Sequence, residues 1–295
     1  LFKKSLAIIE KILDPRHPDI ALGLNNLALL YSDLGNFAKA EPLLKRALTI
    51  YEKVYGPEHP DVATSTSNLG LLYYKQARYE ESEALYKKSL SVKEKILNPD
   101  HLDIAIGLNN LGLQYVVQGR YAEAEDILQR ALKIYEINSG KMHPNLALTL
   151  GNLGVAYREL GRYEEAEQLY QRSLKINEKA YGQEHPNVAL SLNNLANHYI
   201  YADRYADAKP LLQRSLKIYE EFLGPEHPDI APVLNNFAVI FEYYEGDYTK
   251  GEQFLKRALT IQEKGLGKEH PFISGNLITL GLLYNRQGRY AEAET

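Results

Sequence analysis

Gly56-Pro57-Glu58-His59-Pro60-Asp61 is a punctuation mark that this chain repeats, and its recurrence decides the fold. Gly56 suits the position just past a helix end, Pro60 the first turn of the next helix, and Asp61 the positive end of that helix's dipole. The histidine recurs at His17, His59, His101, His143, His185, His227 and His270, at intervals of 42 residues with a last interval of 43. Only His101 precedes a residue other than proline, Leu102. Seven of the eight histidines thus hold one repeat position, and the period covers all 295 residues, so no second kind of domain fits. The expected organisation is one solenoid over 1–295. It begins with a half repeat 1–16, continues through full repeats 17–58, 59–100, 101–142, 143–184, 185–226 and 227–269, and closes with a partial repeat 270–295.

Each unit reads as two helices. In the second, helix A runs from Val62 to Gln76, with Leu69, Gly70 and Tyr73 on one stripe. The turn Ala77-Arg78 leads into helix B, from Tyr79 to about Leu97. Helix B carries Ser82, Tyr86 and Ser89 inward and Glu80, Glu81, Lys87 and Lys88 outward. Helices of about 17–19 residues are expected, spanning about 25–28 Å. Small residues recur mid-helix, Gly70, Gly112 and Gly154 in A and Ser82, Ala124 and Ala166 in B, letting the pair approach closely. A glycine there costs about 0.5–1 kcal/mol against alanine, so its recurrence signals a steric need. An aromatic follows three residues later (Tyr31, Tyr73, Tyr115, Tyr157, Tyr199, Phe241, Tyr284), which makes the excess of 23 Tyr over 7 Phe and no Trp structural.

The pattern Leu27-Ala28, Tyr31, Gly35-Asn36-Phe37, Ala40, Leu44, Ala47-Leu48 resembles the tetratricopeptide repeat, and the resemblance runs along the whole chain. The usual period is about 34 residues, and the longer units here add the Gly-Pro-Glu-His-Pro-Asp linker and extend helix B. The 42-residue variant, with Leu24-Asn25-Asn26-Leu27-Ala28-Leu29-Leu30-Tyr31 in helix A, is similar to the cargo-binding array of kinesin light chains and to arrays in bacterial and fungal signalling proteins. The resemblance implies an all-α, right-handed superhelical solenoid of antiparallel helix pairs, whose concave groove takes a peptide or protein segment.

Composition narrows the function. Lys plus Arg total 34 and Asp plus Glu 38, a net charge of −4 that offers no broad cationic field for nucleic acid or anionic lipid. No apolar run approaches the length of a membrane span. The absence of cysteine excludes disulfides, thiolate metal sites and a cysteine nucleophile, and a cytoplasmic setting is expected. The chain opens Leu1-Phe2-Lys3-Lys4-Ser5 and reads as an excerpt cut inside a repeat at both ends, so exposed apolar ends and end-to-end self-association are expected.

On helix A, the face opposite the small-residue stripe carries an asparagine ladder: Asn26, Asn68, Asn110, Asn152, Asn194 and Asn236. The resemblance places this face in the groove. A carboxamide offers both donor and acceptor, matching the backbone of an extended peptide, while asparagine has no propensity reason to recur inside helices. The other reading of the ladder is that each amide bonds to a neighbouring helix and fixes the superhelical pitch. Net hydrogen bonds of about 0.5–1.5 kcal/mol each cannot hold a peptide against an ordering cost of about 1–2 kcal/mol per residue. Apolar anchors must therefore contribute, and Leu29, Leu71, Leu113 and Val155 share the face, though packing between successive A helices accounts for them equally well. Asn197, Lys75, Arg158 and Tyr201 complete the candidate set. Charge there is sparse and mixed, with Asp33, Glu159 and Glu242 beside Lys75, Arg158 and Arg286. The dense basic cluster that would transfer the kinesin-light-chain preference for acidic peptides is missing, and no carboxylate clamp can be assembled.

Capping explains the recurrent histidines, since ligands one per repeat cannot converge on a metal. His198 replaces an aliphatic position held by Leu30 and Leu72, as a partly buried substitution or a local pH-responsive group. The Glu41/Lys45, Glu83/Lys87 and Glu252/Lys256 pairs read as solubilising i,i+4 pairs worth tenths of a kcal/mol. The sixth unit has one extra residue within 242–246, expected as a hinge or as a tolerated insertion. No phosphate loop, nucleophile elbow or zinc motif occurs. The expectation is a non-catalytic binding module with no cofactor or metal; a spacer, a self-associating scaffold or a sensor array is the alternative.

Overall fold

The computed structural model describes residues 1–140, 142–266 and 271–294. Those residues form fifteen α-helices and no strand, in two compact units, Leu1–Lys141 and Met142–Thr295. The first unit holds α1 (Phe2–Ile12) and three hairpins: α2 (Pro18–Asp33) with α3 (Phe37–Tyr55), α4 (Pro60–Lys75) with α5 (Tyr79–Ile96), and α6 (Leu102–Val117) with α7 (Tyr121–Ser139). The second holds α8 (Pro144–Glu159) with α9 (Tyr163–Tyr181), α10 (Pro186–Tyr201) with α11 (Tyr205–Leu223), and α12 (Ala231–Ile240) with α13 (Tyr248–Leu266). It ends in α14 (Pro271–Arg286) and α15 (Tyr290–Glu294). B helices have the expected length, while A helices such as α4 and α10 are 16 residues, slightly shorter than expected.

Histidine starts the A helices. In His17, His59, His101, His143, His185 and His227, Nδ1 accepts the backbone N–H two residues on, at 3.1–3.3 Å. The imidazole thereby occupies the N-cap role usual for serine or aspartate and satisfies one of the orphan donors of the first turn. His101 does this without a following proline, so the cap does not depend on Pro at the next position. His270 lies outside the described residues.

Packing within a hairpin explains the mid-helix small residues. A Cβ on Gly112 would stand 2.6 Å from two Leu128 carbons, and one on Gly154 would stand 2.9 Å from the Tyr170 ring. Ser82, Tyr86 and Ser89 are buried as expected, and Ser89 Oγ donates to the Ala63 carbonyl at 2.6 Å. The same bond recurs from Ser215 to Ala189 at 2.7 Å, tying B to A across the hairpin. Between repeats, Leu27, Ala47, Ile50, Tyr51 and Val62 share one core with Leu6 of α1.

The sixth unit departs from the rest at both ends of its A helix. Pro232 has no N–H to return to the Pro228 carbonyl, and Pro228–Ile230 forms a 3-10 turn before α12. The extra residue further on is absorbed by a π-helical turn, Phe241–Glu245, closed by Gly246 in the left-handed region at φ 68°. Asp247 then caps α13 by accepting the Lys250 N–H at 3.0 Å.

Candidate functional site

The ladder asparagines do not share one environment. In the first unit Asn26 is exposed, and Asn68 and Asn110 are half-buried, none of the three with a hydrogen-bond partner among the described residues. Leu29, Leu71 and Leu113 lie half-buried beside them, and Leu22, Ile106 and Val117 stand exposed on the same face. Lys75 Nζ donates to Asp33 Oδ1 at 2.8 Å, joining equivalent positions of adjacent A helices. This ion pair is exposed, so it contributes little to stability and chiefly cancels charge on the face.

In the second unit the amides are drawn into packing. Asn236 is buried; its Nδ2 donates to Asn193 Oδ1 at 2.9 Å, and its Oδ1 accepts from Asn197 Nδ2 at 3.0 Å. Asn197 Oδ1 in turn accepts from Arg158 Nη1, and Arg158 is held by Glu159 at 2.8 Å. The guanidinium of Arg158 also covers the Tyr201 ring, 4.3 Å from its centroid. Four candidate residues, Arg158, Asn197, Tyr201 and Asn236, therefore meet in one network spanning three A helices. At this rung the helix-to-helix reading of the ladder describes the geometry. Asn152 is engaged elsewhere, Asn194 sets its amide against Gly151, and Val155 is half-buried. Arg286 pairs with Glu242 at 3.1 Å, and burial pushes the Glu242 carboxyl up while that guanidinium pulls it down.

Some residues that matter escaped the sequence reading. Asn25 and Asn193, each one position before the ladder, are both buried; Asn25 Oδ1 accepts from Ser65 Oγ at 3.3 Å across two A helices. The doublets Asn25-Asn26, Asn109-Asn110, Asn193-Asn194 and Asn235-Asn236 were the available signal. The solubilising role assigned to the Glu/Lys pairs also needs correction. Glu41 does bind Lys45 at 2.7 Å, but it also accepts from Tyr73 Oη at 2.9 Å and from Arg78 Nη1 at 3.1 Å, both in the next repeat. Arg78 covers the Tyr73 ring at 3.7 Å. The same trio recurs as Glu83, Tyr115 and Arg120, as Glu167, Tyr199 and Arg204, and as Glu252, Tyr284 and Arg289. Burial alone would raise the Glu41 carboxyl, but hydrogen bonds from Lys45 and Tyr73 and the charge on Arg78 bring it below its ordinary value. Glu252 is lowered to about 2, mainly by its hydrogen bond from Arg289. These glutamates hold successive repeats together.

His198 is buried against Tyr170, with ring centroids 5.5 Å apart, and its Nδ1 has no hydrogen-bond partner. Burial lowers its basicity. Among the described residues no group of three His, Cys, Asp or Glu side chains is placed to hold a metal ion, and no helix is long and apolar enough to cross a membrane.

A tetratricopeptide-repeat profile matches residues 1–53, 19–95, 61–137, 103–179, 145–221, 187–245 and 240–295, so the whole chain is covered. A solved structure described as the nearly identical TPR-like repeats of a Podosopora anserina putative kinesin light chain is 25% identical. It covers 70% of this chain and 97% of its own, with a TM-score of 0.57. The apo form of RapI aligns over 93% of both chains with a TM-score of 0.69 at 14% identity, a likeness of fold alone. No curated protein matches the chain closely enough to count as a relative.

Proposed function

Since the chain belongs to the tetratricopeptide-repeat family, whose arrays serve as protein–protein interaction scaffolds, we propose that its A-helix face binds an extended peptide or protein segment of a partner, without catalysis. The observation that carries this reading is in the first unit: Asn68 and Asn110 hold amides with no partner among the described residues, flanked by half-buried Leu71 and Leu113 and by exposed Ile106 and Val117. Amides left open beside aliphatic surface supply what an extended backbone needs, hydrogen bonds for its peptide groups and apolar contact for alternate side chains. The pairing of Lys75 with Asp33 and of Arg158 with Glu159 argues against a ligand chosen by charge.

Selection from a random peptide-display library on the purified chain tests this, beside an Asn68→Ala/Asn110→Ala variant of unchanged helicity. Enriched peptides that the variant loses support the groove reading. No enrichment, or enrichment indifferent to the variant, sinks it.

A second reading, self-association through the end repeats, is favoured by exposed Phe2, Ile8 and Ile12 on α1 and Leu277, Ile278 and Leu282 on α14. A solution mass that stays monomeric as concentration rises would dismiss it.

A further inference from the structure

Helix α1 on one side, and α14 with α15 on the other, each present part of a helical hairpin, and the parts match. The B helix of the second repeat, α5, runs from Tyr79 to Ile96. Counted along the repeat, α15 (Tyr290–Glu294) holds the positions of Tyr79–Glu83, and α1 (Phe2–Ile12) holds those of Tyr86–Ile96. What α15 starts, α1 continues in register.

The core positions record the same division. Phe2 stands where the other repeats hold Leu44, Tyr86, Leu128, Tyr170, Leu212 and Leu255, all buried, yet Phe2 is 47% exposed. Ile8 is 61% exposed at the position of Ile50, Ile134 and Ile176, again all buried. On α14 the deficit is the converse. Leu277 is 50% exposed where Leu24, Leu108 and Leu150 are buried, and it lines an open groove with Gly281, Tyr284 and Ala293.

Side-chain size follows a rule across the hairpins. Where helix B brings a ring, helix A has glycine: a Cβ on Gly70 would stand 3.0 Å from the Tyr86 ring, and one on Gly154 2.9 Å from that of Tyr170. Where helix B brings leucine, alanine is found, as in the cores shared by Ala28 with Leu44 and by Ala238 with Leu255; Gly112 opposite Leu128 departs from this. Gly281 is the glycine of α14, and a Cβ there would meet only the Ala293 carbonyl oxygen, at 3.7 Å. It is open to a ring, and the residue at the matching B position is Phe2.

The polar groups agree. Tyr73, Tyr115, Tyr199 and Tyr284 each donate to a glutamate of the preceding B helix. Tyr31 holds the same position, and its hydroxyl has no hydrogen-bond partner among the described residues; the matching glutamate is Glu294, exposed on α15. Successive B helices are joined by Arg46 with Glu10, Lys88 with Glu52 and Arg257 with Glu220. Lys4 and Glu263 stand at the corresponding basic and acidic positions, and neither has a partner among the described residues.

We infer that α14 of one copy takes α1 of a second copy as the continuation of its B helix, so that copies join head to tail. The inference rests on the self-association reading and names the seam. Phe2 of the second copy lies over Gly281 of the first, and Ile8 and Leu277 leave water for a shared core, which drives the association. Lys4 of the second copy pairs with Glu263 of the first, and Tyr31 donates to Glu294, so the seam repeats the contacts of an ordinary repeat boundary. The two surfaces differ, and the contact is heterologous. Each step leaves one α1 and one α14 open, and growth does not stop at two copies.

Sedimentation velocity of the 295-residue chain over a rising concentration series is the test, and species larger than a dimer are expected. Gly281→Ala adds a methyl that meets nothing closer than 3.7 Å in its own copy, so the monomer should keep or raise its thermal midpoint. The same methyl displaces Phe2 of the next copy, and association should weaken about ten-fold. Lys4→Glu and Glu263→Lys should each weaken it about three-fold at low salt. Mixed in equal amounts, these two variants should recover to within about two-fold of the parent, because alternating copies again join opposite charges. Growth that stops at a dimer, a Gly281→Ala chain that associates like the parent, or a charge pair of which only one member matters would each overturn the head-to-tail seam while leaving self-association standing. A parent that stays monomeric removes both.

Discussion

Tyr115 donates its hydroxyl to Glu83 at 3.1 Å across a repeat boundary, from α6 back to α5. Arg120, five residues further on, grips the same carboxylate at 2.7 Å and lies over the Tyr115 ring at 3.9 Å. Burial by itself would raise the Glu83 carboxyl, but Lys87, Arg120 and Tyr115 together lower it. A solenoid is stable only through its nearest-neighbour interfaces, so a bond of this kind acts on the coupling between units rather than within one.

Tyr115→Phe is therefore expected to cost about 1.5–3 kcal/mol, the net value of one hydrogen bond to a charged group. Glu83→Ala should cost more, because it leaves both Tyr115 Oη and Arg120 without their acceptor. Urea denaturation of the two single variants and the double variant forms a cycle, with an expected coupling of at least about 0.5 kcal/mol. Additive losses would show that the contact seen here is energetically idle.

Acid should act on the equivalent carboxylate near the other end. Glu252 is lowered to about 2 in the folded chain, mainly by Arg289. A depressed carboxyl contributes stability that is present above its unfolded value near 4.3 and is lost as pH falls from there toward 2. Glu252→Gln should thus reduce stability at neutral pH and flatten its decline between about pH 4.5 and pH 2. Parallel stability curves for the two proteins across that window would refute the assignment.

Two glycine substitutions should have opposite signs. Gly112→Ala gains about 1 kcal/mol of helix propensity but drives a methyl within 2.6 Å of Leu128, an overpacking cost of about 1–3 kcal/mol. A Cβ on Gly275 meets nothing within 4 Å, so Gly275→Ala keeps the propensity gain, roughly 0.5–1 kcal/mol. Thermal unfolding of the two variants should move the midpoint down for the first and up for the second. A stabilising Gly112→Ala would mean that Leu128 yields freely.

The repeats were legible because proline, glycine and small residues impose backbone and steric conditions that do not depend on neighbours. The spacing of His17 to His227 gave the number of hairpins, and Gly70, Gly112 and Gly154 marked the close approach. The dual use of Glu41 was not legible, since its partners Tyr73 and Arg78 lie 32 and 37 residues away, and only the stacking angle of the repeats brings them to it. The asparagine ladder is uneven for a related reason. Six residues at one sequence position face different neighbours: Asn236 meets Asn193 and Asn197, while Asn68 has no hydrogen-bond partner among the described residues. A repeat fixes where a side chain points, but not what the adjacent repeat offers it. The expectation of a hinge in the sixth unit turned on a residue count, and the count proved compatible with a π-helical last turn of its A helix.

His198 provides the last prediction, and its sign follows from its surroundings. It takes the place of an aliphatic residue on α10, against Tyr170 and Tyr199, with Glu167, Arg158 and Arg204 as the charges acting on it. Burial lowers it most; Glu167 acts in the opposite direction, and the two arginines add to the lowering. The fold therefore favours the neutral ring, and below the ordinary histidine value of about 6.5 the unfolded chain binds a proton that the folded chain refuses. Stability should be lost as pH falls from about 6.5 toward the lower folded value, and be fully retained above it. His198→Leu restores the residue type found at Leu30 and Leu72 and removes this one proton while leaving the capping histidines in place. The difference in stability between parent and variant, measured by urea denaturation from pH 7.5 to about pH 5, isolates the effect because every other titrating group is common to both. The variant should gain on the parent steadily as the solution is acidified. A difference that stays constant over that range would mean that His198 takes up its proton as readily in the fold as in the unfolded chain.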